Sequence, residues 1–171
     1  EGLLSDGTLL SRSPVLLSLG AYRSGGWFPY SMGMFTTAPG RTYRFVFQHV
    51  AGGESVLRVL DGSTQVARVS HRIRGEYNAI RFNANVDAVL AAVAGNAGLD
   101  LEVDKIDGQP VQAGMGLSVR GARTGNLTLL FPEPANPFTL EGTLRLRHGS
   151  ALSLPSFRLE MATGNVDCDA P

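Results

Sequence analysis

In T-Y-R-F-V-F-Q-H-V, residues 42–50, Tyr43, Phe45 and Phe47 occupy every second position, and Arg44, Val46 and Gln48 lie between them. Successive strand side chains point to opposite faces, so this run predicts a strand with one face in a core. The same period recurs in E-S-V-L-R-V-L (54–60), Q-V-A-R-V-S-H (65–71), Y-N-A-I-R-F-N (77–83) and L-D-L-E-V-D-K-I (99–106), the last with Leu99, Leu101 and Val103 inward. Asp61-Gly62 between two alternating runs predicts a hairpin. M-G-L-S-V-R (115–120), N-L-T-L-L-F (126–131), F-T-L-E-G-T-L-R-L-R (138–147) and A-L-S-L-P-S-F-R-L-E (151–160) continue the series. Pro donates no ladder hydrogen bond, so Pro132, Pro134 and Pro137 make 128–138 an extended loop or an edge segment.

One stretch has two periods. In N-V-D-A-V-L-A-A-V-A-G (85–95), Val86, Val89, Leu90 and Val93 have helical spacing, with Asn85 as a cap and Gly95 just beyond the end. The valines and the flanking strands favour a strand. As a helix it would be short and would close one end of the sandwich.

Many short strands with a turn signal every eight to twelve residues predict an all-β fold, a two-sheet antiparallel sandwich of jelly-roll type. Its expected core includes Tyr43, Phe45, Phe47, Leu57, Val59, Ile80, Phe82, Leu101 and Val103. The chain has 171 residues, enough for one domain that buries a core without staples. We expect an N-terminal arm at 1–13, a single domain at 14–163 and a C-terminal tail at 164–171. The first residue is Glu1, as expected of a processed chain or a piece of a longer one.

Charge removes some function classes. Fifteen basic and fifteen acidic residues cancel, so the basic footprint of a nucleic-acid binder is missing. No run of eighteen apolar residues occurs, so no membrane insertion by a helix is expected. Cys168 is the only cysteine, which rules out an internal disulfide. It lies between Asp167 and Asp169, whose charge disfavours a reactive thiolate.

Catalytic patterns are missing too. There is no G-x-S-x-G elbow. His49, His71 and His148 are far apart and lack zinc-ligand spacing, so they read as strand-end or turn histidines. Asp100, Glu102 and Asp104 alternate on one strand and are expected on one face. At strand spacing such carboxylates lie about 6–7 Å apart, too wide to hold one Ca²⁺ without other loops. They read as a solvated face. Asn126-Leu127-Thr128 is a formal glycosylation sequon at a strand start. We therefore expect no enzyme, no cofactor and no metal.

Residues 22–30, Y-R-S-G-G-W-F-P-Y, hold the candidate chemistry. Four aromatic residues, Tyr22, Trp27, Phe28 and Tyr30, surround a Gly pair and a Pro, and Trp27 is the only tryptophan. Sugars present flat apolar C–H faces, which exposed rings with polar neighbours can meet. Tyr22, Arg23, Trp27 and Tyr30 are thus the candidate ligand-binding residues. The competing reading makes this the start of a buried strand, with Trp27, Pro29 and Ser31 on one face and Phe28, Tyr30 and Met32 on the other. A compromise puts Phe28 and Phe35 in the core and Tyr22 and Trp27 at the rim.

W-F-P-Y, F-T-T-A-P-G-R-T-Y-R-F-V-F-Q, I-R-F-N-A and L-D-L-E-V-D-K-I, across residues 15–107, together resemble jelly-roll carbohydrate-binding modules. That resemblance implies glycan binding through Trp27 and Tyr22. The ending G-N-V-D-C-D-A-P and the arginine-rich, lysine-poor style are similar to tail proteins of actinobacterial phages. This second resemblance implies a virion or extracellular location. Expected partners are copies of the chain or neighbouring virion proteins, and cell-surface glycan. The expected function is a non-catalytic structural or recognition module. The alternative is a secreted carbohydrate-binding module attached to a glycan-active enzyme.

Overall fold

The computed structural model describes residues 13–23, 26–37, 41–50, 52–73, 77–86, 98–112, 115–120, 124–135, 137–147 and 157–164. The described strands are β1 (Ser13–Arg23), β2 (Gly26–Thr37), β3 (Thr42–His49), β4 (Glu54–Asp61), β5 (Thr64–Arg72) and β6 (Tyr77–Val86). They continue with β7 (Gly98–Ile106), β8 (Gln109–Pro110), β9 (Gly116–Arg120), β10 (Thr124–Ala135), β11 (Phe138–Arg147) and β12 (Phe157–Gly164). Among the described residues there is no helix. The protein is an all-β sandwich of two mostly antiparallel sheets, consistent with a jelly-roll-like fold.

The five-stranded sheet has the order β10-β6-β12-β1-β2. The seven-stranded sheet runs β5-β4-β3-β11-β7-β8, with β9 also paired to β7. The chain passes between the sheets repeatedly, as when β5 leads to β6 and β6 to β7. Among the described residues the one parallel pair is β1 with β12, in register from Val15 with Phe157 to Ala21 with Thr163. Neighbouring strands in the middle of one sheet thus come from opposite ends of the sequence.

Alternation builds the core as expected. Tyr43, Phe45, Phe47, Leu57, Val59, Ile80, Phe82, Leu101 and Val103 are all buried. Rings pack edge-on across the layers, with Phe45 against Phe82 at 5.8 Å between centroids and Phe35 against Tyr43 at 5.7 Å. Val15, Leu17 and Leu19 of β1 join them. The sheets also meet at their margins. Gly33 of β2 lies where an added Cβ would sit 2.7 Å from Val69 of β5, and Ser31 Oγ shares a 2.9 Å hydrogen bond with His71 Nδ1.

The expected Asp61-Gly62 hairpin is present, a second D-G turn closes another, and the two turns differ. Asp61 pairs with Thr64 around Gly62, whose φ is 60°, and no positive φ occurs at Ser63. This is a turn with glycine at its first central position. Ile106 pairs with Gln109 around Asp107 and Gly108, both with positive φ (51° and 76°), the primed turn that matches strand twist. Asp107 also docks on β11. Its N–H donates to the Thr139 carbonyl and its Oδ1 accepts from the Thr139 N–H, both at 2.8 Å.

The prolines sit where an edge tolerates them. β10 is an edge strand, and its pairing with β6 is interrupted between Leu130 and Ala135, the interval that holds Pro132 and Pro134. Of the last expected strand, 151–156 lies outside the described residues, and β12 runs from Phe157 to Gly164. In the contested segment, Asn85 and Val86 finish β6, and 87–95 lies outside the described residues. So do most of the expected arm, the tail beyond Gly164, Cys168 and His148.

Candidate functional site

A register shift decides how the aromatic stretch is presented. Down β1 and β2 the pairs run Ser18 with Met32, Leu19 with Ser31 and Gly20 with Tyr30. The next pairs are Tyr22 with Trp27 and Arg23 with Gly26. Ala21 therefore faces two residues, Phe28 and Pro29, and β2 carries a bulge there. A bulge reverses the phase of alternation beyond it. Unbroken alternation would put Trp27 on the face of Ser31. With the bulge, Gly20–Tyr30 and Tyr22–Trp27 are register positions on one face of the sheet. That face is opposite the one on which Leu17 and Leu19 are buried. Of the four candidate residues, Tyr22, Trp27 and Tyr30 hold these register positions, and Arg23 follows Tyr22 at the end of β1.

The same face carries exposed apolar side chains farther along the edge strand. Met32 is 59% exposed and Met34 58%, whereas Phe35 is buried. Toward the sheet centre the face turns polar. Asn83 Nδ2 donates to Glu160 Oε2 at 3.1 Å, and Arg81 donates to Asn126 Oδ1 at 3.2 Å. Asn126 and Thr128, the sequon positions, are exposed on edge strand β10.

The acidic stripe runs into a bulge. Glu141 of β11 pairs with Lys105 and Gly142 with Val103, so Asp104 is the extra residue of a bulge in β7. Asp100, Glu102 and Asp104 alternate with buried Leu101 and Val103, and of the three only Asp100 and Glu102 lie in the regular ladder with β11. Among the described residues, no three His, Cys, Asp or Glu side chains come together as a metal site.

Those two carboxylates belong to an open groove of about 540 Å³ on the outer face of the seven-stranded sheet. Two cross-strand rows form it. Thr42, Arg145, Asp100 and Ser118 are successive partners across β3, β11, β7 and β9, and Thr143, Glu102 and Gly116 form the row beside them. Ser118 Oγ donates to Asp100 Oδ1 at 2.6 Å, fixing that carboxylate. A Cβ at Gly116 would come 2.9 Å from the Leu101 carbonyl oxygen, so glycine keeps β9 close to β7 at the floor. Alternating polar residues gave the strands, but the sequence did not single out this groove. Its members come from β3, β7, β9 and β11, and only the pairing brings them together.

The two described histidines, His49 and His71, lie in separate environments. His71 of β5 bonds Ser31 across the sheets. His49 ends β3 fully buried, with Nδ1 bonded to the buried Ser55 Oγ at 3.0 Å, and the same oxygen accepts the Val50 N–H at 3.2 Å. Rings of Phe138, Tyr77 and Phe47 enclose it at 5.1–6.4 Å between centroids. A polar group so enclosed helps hold the strand end in place.

Comparison with models of known protein families finds no match for this chain, and comparison with curated proteins finds none either.

Proposed function

We propose that this domain is a non-catalytic recognition module that binds glycan and serves as a structural part of a larger assembly, a phage tail or similar virion component. The observation that carries the glycan reading is the register of β1 and β2. It sets Tyr22 opposite Trp27 and Tyr30 opposite Gly20, on one face and beside exposed Met32 and Met34. Aromatic positions clustered on an outer face suit the apolar side of a sugar, and Gly20 adds no Cβ between them. The jelly-roll-like sandwich is compatible with a carbohydrate-binding module, although fold alone does not fix function. The virion reading is supported by the ending G-N-V-D-C-D-A-P and by a composition rich in arginine with a single lysine, Lys105. In such an assembly the partners are copies of the chain or neighbouring virion proteins, and the glycan is on a cell surface.

The test is titration of the protein with oligosaccharides while Trp27 fluorescence is followed. Trp27→Ala is expected to weaken binding about tenfold or more, the size of a central-ring truncation, with little change in stability. A ligand-insensitive emission, together with a loss of roughly 3–5 kcal/mol of stability in the variant, would assign Trp27 to packing instead. Tail genes beside the coding sequence favour the virion reading. A hydrolase domain in the same reading frame favours the secreted module.

A further inference from the structure

We infer that the groove on the seven-stranded sheet is a second, ring-free binding site that grips a pair of neighbouring hydroxyl groups on a neutral saccharide. It lies on the opposite sheet from Tyr22, Trp27 and Tyr30, and so stands independently of the reading above.

The inference begins with which charges remain unspent. Across the outer face of this sheet several charged groups are paired. Arg41 pairs with Asp61 at 3.0 Å, Arg44 with Glu141 at 3.2 Å and Arg68 with Glu54 at 3.9 Å, while Arg58 donates to Gln48 at 2.8 Å. The side chains of Arg145 and Glu102, like those of Arg72, Asp104 and Lys105 on the same sheet, are exposed and have no hydrogen-bond or ion-pair partner among the described residues, and of these five only Arg145 and Glu102 line the groove. Arg145 pairs in register with Asp100, and Glu102 with Thr143. A free guanidinium and a free carboxylate therefore stand on adjacent strands and adjacent rows. The neighbouring Asp100 is already held by Ser118.

A ligand here must accept from Arg145 and donate to Glu102 over a short span. A hydroxyl group does both, and two neighbouring hydroxyls of a sugar ring fit a donor beside an acceptor. Thr42, Thr143 and Ser118 add hydroxyls that rotate to suit either role. Other ligand classes fit less well. Among the described residues the lining has two carboxylates and one guanidinium, which disfavours an anion. Arg145 disfavours a cationic peptide. Among the described residues no aromatic side chain lines the groove, which gives a flat apolar ligand no stacking surface from them. Its volume of about 540 Å³ lies within the roughly 300–1,000 Å³ usual for small-molecule sites. The groups stand on paired strands, which fixes their spacing before a ligand arrives.

The experiment is amide-resolved NMR of the full chain, titrated separately with maltotriose, cellotriose, mannotriose, lactose and, as a cationic probe, hexalysine. At least one saccharide is expected to shift the Gly116, Ser118 and Thr143 amides. Arg145→Ala and Glu102→Gln are each expected to weaken that binding about tenfold or more, with core amides such as Phe45 and Leu101 unmoved. Trp27→Ala is expected to leave the groove shifts intact, whatever it does to binding on the other sheet. The inference is overturned if no saccharide moves the groove amides, if only hexalysine does, if the two groove variants bind like the parent, or if Trp27→Ala abolishes the groove shifts.

Discussion

Gly142 shows how much one missing methyl group can decide. It lies in β11 beside the bulge at Asp104, with the Glu102 carbonyl and the Phe45 ring against its Cα. An added Cβ would meet the carbonyl oxygen in a hard clash and ring carbons of Phe45 at 2.5 Å. The carbonyl belongs to the paired backbone and the ring to the packed core, so neither yields easily. Gly142→Ala is expected to cost about 3 kcal/mol or more, the upper range of overpacking. Gly62→Ala makes a useful contrast. Nothing lies within 4 Å of its Cβ position, and the penalty comes only from a φ of 60°. That change is expected to cost about 1–2 kcal/mol. Urea denaturation of both variants checks the order. If Gly142→Ala proves the milder change, close backbone approach does not explain this glycine.

Among elements, the edge strand β10 tests why prolines stand where they do. An edge strand with a free row of donors and acceptors invites pairing with another copy. Pro132 and Pro134 fall in the interval where the ladder with β6 breaks, and each removes a donor. Replacing both with threonine is expected to leave the monomer's fold unchanged and to raise its tendency to associate. Multi-angle light scattering across a concentration series reads this directly, and a variant that stays as monodisperse as the parent would remove the protective role.

Elements with clean alternation were legible in the sequence. β3 and β7 bury their aromatic and aliphatic residues at alternate positions, and both D-G turns close hairpins. β1 was not legible in the same way. In V-L-L-S-L-G-A, Leu16 interrupts the polar alternation, and Ser18 is itself only 7% exposed. Small and apolar residues on both faces of a strand blur the period that marks it. The two bulges were illegible for a different reason. Each inserts one residue, and only pairing partners reveal the slip. That hid the register of Tyr22, Trp27 and Tyr30, and it hid that Asp104 falls outside the regular ladder with β11. The groove was hidden similarly, because its four strands are distant in sequence.

At the scale of the whole molecule, the parallel pairing of β1 with β12 governs cooperativity. β12 lies between β1 and β6, so the five-stranded sheet has no continuous centre without it. Both neighbours lean on it along most of its length, from Phe157 with Val86 to Gly164 with Ala79 on one side and from Val15 to Ala21 on the other. Its inner positions, Leu159, Met161 and Thr163, are buried. A chain ending at Ser156 would leave β1 and β6 with unpaired ladder groups facing each other and a slot in the core. Losing Leu159 and Met161 alone removes two buried side chains, each worth about 2–5 kcal/mol, which approaches the whole stability of an ordinary domain. The truncated chain is therefore expected not to fold cooperatively. Pairing strands from opposite ends of the sequence also requires closing the longest loop available, so the parent is expected to fold slowly for its size. Stopped-flow refolding of the full chain and thermal melting of the 1–156 chain test the two halves of this claim. A sharp melting transition in the 1–156 chain, with the parent's near-ultraviolet dichroism, would mean that β12 only lines a sheet that is complete without it.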